Sequence, residues 1–363
     1  MKILALFFLP LSLCAFDFHD FDRYQNHYTA EEIRGKLEKY LEKDPSIREF
    51  YQLTPKALSI GKKGSPDYVL TLRDDPLAGS FGKQRKRSLK GLRVALDPGH
   101  LGGEYAELEK RCIKVLGIHL HEGDMAYLTA LKLKELLEKE GARVMITRPG
   151  FGEGALGESF KTWETKQKPA SEKTKFIRYN REDLYARAEK INAFHPDLTL
   201  ILHYNSEYSE EDETIPLIDE NYAVVFIPGA FSDHELDRER DRYEFLRLLV
   251  TETMEQSFKL SRKVAERFAK DLGVPLIDHA KLSPKLEPYS LLLERGVYAR
   301  NLILTRLIQS PVCYGEPLLQ NHRKEAERLS VNDGEIQGVR CSKRLEEVAR
   351  AYFEGIKAYC LGG

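Results

Sequence analysis

From residue 92 onward the chain repeats one pattern. Short, mostly apolar runs follow stretches with helical spacing. The run LTLILH, residues 198–203, is the clearest case: it is nearly all apolar until its histidine. A run of that kind suits a strand buried on both faces, as in a parallel sheet between two helix layers. Similar runs occur at 93–97, 143–147, 222–227, 302–306 and 312–316. Between the first two, Ala126, Ala130, Leu133 and Leu137 are spaced four, three and four apart, and Gly141 is a natural end for that helix, residues 123–140. A second helix at 181–193 turns Leu184, Ala188 and Ile191 inward, and a long charged helical stretch covers 235–271. A last amphipathic helix carries Leu345, Val348, Tyr352, Ile356 and Tyr359. Strands alternating with helices predict an α/β domain with a mostly parallel or mixed sheet of about six strands flanked by helices.

Residues 16–91 precede this domain as a small N-terminal extension. Thr29-Ala30-Glu31-Glu32 carries a helix-capping signature, and residues 68–72 read as a short strand. The basic run KQRKRSLK, residues 83–90, reads as a solvated linker. Before the extension, MKILALFFLPLSLCAF places one lysine ahead of an apolar stretch, with Ala15 at a cleavage position. This predicts a signal peptide over residues 1–15 and export to the periplasm or cell envelope. No later apolar run is long enough for a transmembrane helix. A net charge of -1 argues against a dedicated nucleic-acid binder. Four cysteines remain after the leader: Cys112, Cys313, Cys341 and Cys360. They show no zinc-type CxxC spacing. Cys341 and Cys360 flank a helix whose ends lie about 27 Å apart at ~1.5 Å per residue, too far for one bridge.

In open α/β sheets, chemistry gathers at the carboxyl ends of strands. The first strand ends at Asp97 and delivers His100 through Pro98-Gly99. The third ends at His203, and the last at Glu316. Glu122 opens the first helix. Two histidines and one carboxylate from three loops form the ligand set of a catalytic zinc site, with a position left for water. A further carboxylate then serves as general base.

The same residues carry a family resemblance. VALDPGH, EGDMAYLTALKLKELLEKEGARVMITR, LYARAEKINAFHPDLTLILHYNS and RNLILTRLIQSPVCYGEPLLQN resemble, in order, the motifs of the zinc-dependent N-acetylmuramoyl-L-alanine amidases. The resemblance implies Zn2+ held by His100, Glu122 and His203, with Glu316 as catalytic glutamate. Arg187, Asn192 and Asp197 become structural companions, and residues 92–360 the catalytic domain. It also implies peptidoglycan as substrate, cut between N-acetylmuramic acid and L-alanine. A zinc peptidase acting on another wall bond, or a non-catalytic wall-binding protein on this fold, are the alternative readings. Nothing in the sequence identifies an activator protein.

Several features depart from the family pattern. His100 and Glu122 are 22 residues apart, a long spacing, and Tyr204 stands where a small residue is usual. Asn321 follows Glu316 one residue early and Gly315-Glu316-Pro317 is atypical; Glu294, in SLLLERGVY, has an apolar approach like that of Glu316, but Pro311, Asn321 and the preceding LILTR favour Glu316. His119 and His121 sit beside Glu122 in the expanded loop and match nothing in the family. Residues 150–180 interrupt the strand–helix order with four glycines by residue 157, then Phe160 and Trp163. With Phe151, these predict a mobile lid or substrate wall with little core of its own, whose replacement over 152–178 leaves stability nearly unchanged.

Overall fold

The predicted cap at Thr29 forms. Its hydroxyl accepts from the Glu32 backbone N–H at 3.2 Å, while the Glu32 carboxylate accepts from the Thr29 N–H at 2.8 Å. This box opens α1 (Ala30–Lys36). The computed structural model describes residues 16–75, 88–208, 214–232, 234–278 and 286–362. The expected leader and residues 83–87 of the basic run lie outside them. After α1, three short strands form an antiparallel sheet: β1 (Tyr51–Leu53), β2 (Ala57–Lys62) and β3 (Ser65–Thr71). The expected strand at 68–72 is the second half of β3. The apolar side chains of this unit, among them Phe21, Ile33, Leu58 and Leu70, share one core with Ile227, Phe231, Phe245 and Ala299.

The central sheet starts at β4 (Arg93–Pro98). A hairpin of β5 (Cys112–Val115) and β6 (Ile118–His121) leads into α2 (Glu122–Lys139) and β7 (Arg143–Ile146). Then come α3 (Phe160–Glu164), α4 (Glu172–Phe194), β8 (Leu198–Leu202) and β9 (Val224–Ile227). The expected helical stretch at 235–271 is two helices, α5 (Glu239–Val250) and α6 (Thr253–Leu272). They are followed by β10 (Ser290–Glu294), β11 (Val297–Arg300), α7 (Ile303–Leu307) and β12 (Val312–Glu316). The chain finishes with α8 (Arg323–Ser330), the hairpin β13 (Gly334–Ile336) and β14 (Val339–Cys341), and α9 (Lys343–Leu361).

Seven strands pair in the order β10-β11-β9-β12-β8-β4-β7. β12, β8, β4 and β7 run parallel, and β9 turns antiparallel to β12, so the sheet is mixed. Every residue of β8 is buried. Leu198, Leu200 and Leu202 join the core with Leu133 of α2, Val264 of α6 and Val348 of α9. Ile201 joins Ala95 and Val312 against Ala188 and Ile191 of α4 and Leu304 and Leu307 of α7. The near-continuous apolar run is thus the record of two covered faces. The described cysteines are unbridged. Among the described residues, no helix is long and apolar enough to cross a membrane.

Two expectations are corrected. Residues 302–306 are not a strand; most of the run is helical, as α7, and β11 takes the strand's place. A short apolar run fits a buried helical turn as well as a strand. Here Leu304 and Leu307, three apart, bury one helical face on α4. The stretch 150–180 also differs, because it has a core. Phe160 and Trp163 on α3 meet Phe176 and Tyr179 on α4, together with Leu101 and Tyr105. Phe160 is 1% exposed and Trp163 4%. The Trp163 indole N–H donates to Glu182 at 2.9 Å. These aromatics are therefore not a free surface for sugar or peptide, and α4 begins at residue 172, before the expected 181. Trp163→Ala should lower the unfolding free energy by about 3–5 kcal/mol, read from chemical denaturation. An unchanged midpoint would show that this cluster contributes nothing.

Candidate active site

The register of three strands sets the site. Pro98 and Gly315 both lie opposite Leu202. The ladder runs on for one step: Gly99 N–H donates to the Leu202 carbonyl at 2.8 Å, and His203 N–H donates to the Gly315 carbonyl at 3.0 Å. His203 therefore emerges between Gly99 and Glu316. A Cβ on residue 99 would fall 2.2 Å from the His203 ring, so the strand end must be glycine for the imidazole to lie there. His100 follows with φ of 55°, in the left-handed region.

Two buried arginines hold that turn. Arg148 donates to the carbonyls of Pro98 at 3.1 Å, Gly123 at 2.8 Å, and Leu101. Arg187 donates to Pro98 at 2.7 Å and His100 at 3.2 Å, and pairs with Asp183 at 2.6 Å and Asp97 at 3.4 Å. Asp97 thus orients the turn through Arg187 and Thr147 and not by accepting its backbone N–H groups. Asn192 ties α4 to the segment after α7 through Leu307 and Gln309, and Asp197 accepts from the N–H of Arg93 at the start of β4.

His100, Glu122 and His203 come together. Glu122 Oε1 is 3.2 Å from His100 Nε2 and 2.9 Å from His203 Nδ1. Among the described residues they are the one group of three or more His, Cys, Asp or Glu placed to share a metal ion, with one ligand atom from each lying within 4.8 Å of the others. Glu109 lies 3.5 Å from the other ring nitrogen of His100 and accepts from the N–H groups of Leu101 and Gly102. Gln320 donates to Glu122 Oε2 at 3.2 Å and to the Tyr204 carbonyl at 2.9 Å. Tyr204 points away into the core, where its hydroxyl meets Thr129 at 2.7 Å, so the atypical residue leaves the site unobstructed.

The charges follow from these contacts. Burial opposes ionisation of Glu122, but His100 and His203 outweigh it and hold the carboxyl well below its usual range. Burial works against a charged His100, yet Glu122 and Glu109 push its pKa up to about 9. His203 is lowered, by burial first. Glu316 moves the other way: burial, then the charge of Glu122, raises its carboxyl well above the ordinary range. Its Oε2 is buried with no hydrogen-bond partner. Tyr314, two residues earlier and so on the same face of β12, stacks on the His203 ring with centroids 4.5 Å apart.

The other candidates fall outside. Glu294 is exposed on β10, three strand positions from β12, or roughly 14 Å at ~4.8 Å per strand. His119 is exposed, and His121 bonds Asp124 at 3.0 Å. Sequence reading missed Glu109, Arg111, Arg148 and Gln320. Arg148, directly after a strand, carried a positional signal; Glu109 and Arg111 lie in the expanded loop between His100 and Glu122, which offers no periodic pattern. The donor set of two imidazole nitrogens and a carboxylate oxygen, with one imidazole backed by a second carboxylate, fits a divalent ion such as zinc.

The mixed α/β sheet thus gathers a cluster placed so that it could hold a metal ion, with a further buried carboxylate at the end of β12. Residues 94–357 match the family model of N-acetylmuramoyl-L-alanine amidase. The chain belongs to that family, the hydrolases that cut the amide between N-acetylmuramic acid and L-alanine in peptidoglycan. No curated protein sequence matches it. Among solved structures it is similar to the CwlD amidase of Clostridioides difficile in complex with the GerS lipoprotein, at 19% identity, 74% of this chain, 98% of that chain and a TM-score of 0.46. It is also similar to the amidase Ami1 of Mycobacterium smegmatis, at 14% identity, 76% and 100% coverage and a TM-score of 0.44. For AmiC2 of Nostoc punctiforme the values are 15%, 74%, 98% and 0.42.

Arg187→Met should strand Asp183 and Asp97 in the interior without their cation and cost about 3–5 kcal/mol of stability, measured by denaturant unfolding. A loss under about 1 kcal/mol would mean that the clamp is not what holds the turn.

Proposed function

We propose that the chain is an exported, zinc-dependent amidase in which His100, Glu122 and His203 hold the metal and Glu316 is the general base. The observation that carries this reading is the convergence of His100 Nε2 and His203 Nδ1 on one oxygen of Glu122, with the buried, unpartnered Oε2 of Glu316 on the adjacent strand end. Bound there, zinc would polarise the scissile carbonyl and acidify a water. The protein's own groups do the rest. Gln320 occupies Glu122 Oε2 and leaves Oε1 toward the histidines. Glu109 fixes the His100 ring from behind, and Tyr314 fixes the plane of His203. Glu316, as the carboxylate, would take the proton of the attacking water and deliver it to the departing alanine amine; burial raises its proton affinity, which suits holding that proton until delivery. The apolar leader at 1–15 supports export to the compartment that holds the wall, and residues 92–360 form the catalytic unit.

His203→Ala should lose bound zinc, read by atomic emission on purified protein, and with it turnover of peptidoglycan. Full zinc occupancy with normal turnover would remove His203 from the ligand set. Glu316→Gln should keep zinc and lose about 10²- to 10⁴-fold in kcat. Release of peptides with a free L-alanine amine separates an amidase from a peptidase; if Glu294→Gln is inactive and Glu316→Gln is not, the base is misassigned.

A further inference from the structure

Arg111 stands beside the cluster without being consumed by it. It lies just before β5, in the loop between His100 and Glu122. Its carbonyl accepts the Glu122 N–H at 3.0 Å, which anchors the residue to the first turn of α2. Its guanidinium donates through Nη1 to the Tyr208 hydroxyl at 3.0 Å. The Nε is buried and makes no hydrogen bond; it lies 3.7 Å from Glu122 Oε2, beyond bonding range. That oxygen already has a closer donor in Gln320 at 3.2 Å, so fixing Glu122 does not require Arg111. The Arg111 side chain is 35% exposed. A guanidinium offers a planar fork of donors matched to a carboxylate, and most of this fork has no protein acceptor among the described residues.

We infer that Arg111 anchors a free carboxylate of the substrate peptide, on the residue that follows the L-alanine. The inference rests on the amidase chemistry proposed above and names which form of the substrate the site prefers. Reach supports it. An extended peptide advances about 3.3–3.6 Å per residue, so a carboxylate on the next residue lies roughly 7 Å from the amide being cut. Arg111 Nε is 3.7 Å from a carboxylate of the cluster itself. Charge supports it too. Glu109 and Glu122 are buried ionised beside the site, and a cation at the rim favours the approach of an anionic peptide. Arg300, the other arginine near Glu316, lies instead over the Phe226 ring at 5.4 Å.

The test uses the zinc-loaded full chain and two muropeptides. They differ only in whether the α-carboxyl of the residue after L-alanine is free or amidated. The wild-type enzyme should prefer the free acid by about 10- to 100-fold in kcat/KM, carried by KM. Arg111→Met should raise KM for the free acid and erase that preference, with a much smaller effect on the amidated substrate and unchanged zinc content. Arg111→Lys should keep part of the preference, because a point charge remains without the fork. Equal losses on both substrates overturn the assignment, as does a fall in kcat alone, which would mark Arg111 as stabilising the reacting oxygen. Loss of zinc in Arg111→Met overturns it in favour of a role in placing Glu122. Cleavage of neither muropeptide by the wild-type enzyme defeats the amidase reading itself, and this assignment with it.

Discussion

One buried guanidinium holds the active end of this protein together. Arg187, 1% exposed, lies between Asp183 on α4 and Asp97 at the end of β4, and it also bonds the carbonyls of Pro98 and His100. Burial alone would drive the charge off an arginine. Asp183 and Asp97 outweigh that and keep the cation strongly favoured. The arrangement matters because His100 sits at φ 55°, a conformation that costs a non-glycine residue about 1–3 kcal/mol unless its surroundings enforce it. Asp183 also accepts from the N–H groups of Ala155 and Leu156. The same ion pair therefore roots the 150–180 segment and aims the first histidine.

Around the cluster, two carboxyls of one chemical type are driven in opposite directions. Glu122 faces two imidazoles and is held ionised. Glu316, buried near the charge of Glu122, is held toward its protonated form, although His100, Arg111 and Arg300 pull against this. Two nearby acids with divergent proton affinity suit the ligand and proton-carrier roles proposed for them. No special residue type is needed; position is enough, one carboxyl opening α2 and the other closing β12.

Much of this was legible in the sequence because it is written in local pattern. The all-apolar β8, the Thr29 box and the spacing in α2 are properties of short windows. So was the placement of His100, Glu122 and His203, since strand ends and helix starts can be read from those windows. What stayed hidden depended on the partner surface. Leu304 and Leu307 do not say whether they face a sheet or a helix until α4 is present. Phe160 and Trp163 look like exposed aromatics until Phe176 and Tyr179, more than ten residues on, fold against them. Glu109 and Gln320 were hidden for the same reason. Each contacts the site through tertiary geometry, from a loop whose charge or polarity implies solvent.

The shared core of the N-terminal unit also has a kinetic side. Ile33, Leu58 and Leu70 share their core with Ile227, Phe245 and Ala299, and the Tyr28 hydroxyl donates to the Val250 carbonyl, 222 residues away. Contacts of such sequence separation close late, because the entropy of a long loop must be paid before they return anything. Residues 18–72 must then wait, unsheltered, until β9 and β11 exist to receive them. The first described segment of the chain thus completes its core only against strands and a helix that lie more than 150 residues further on.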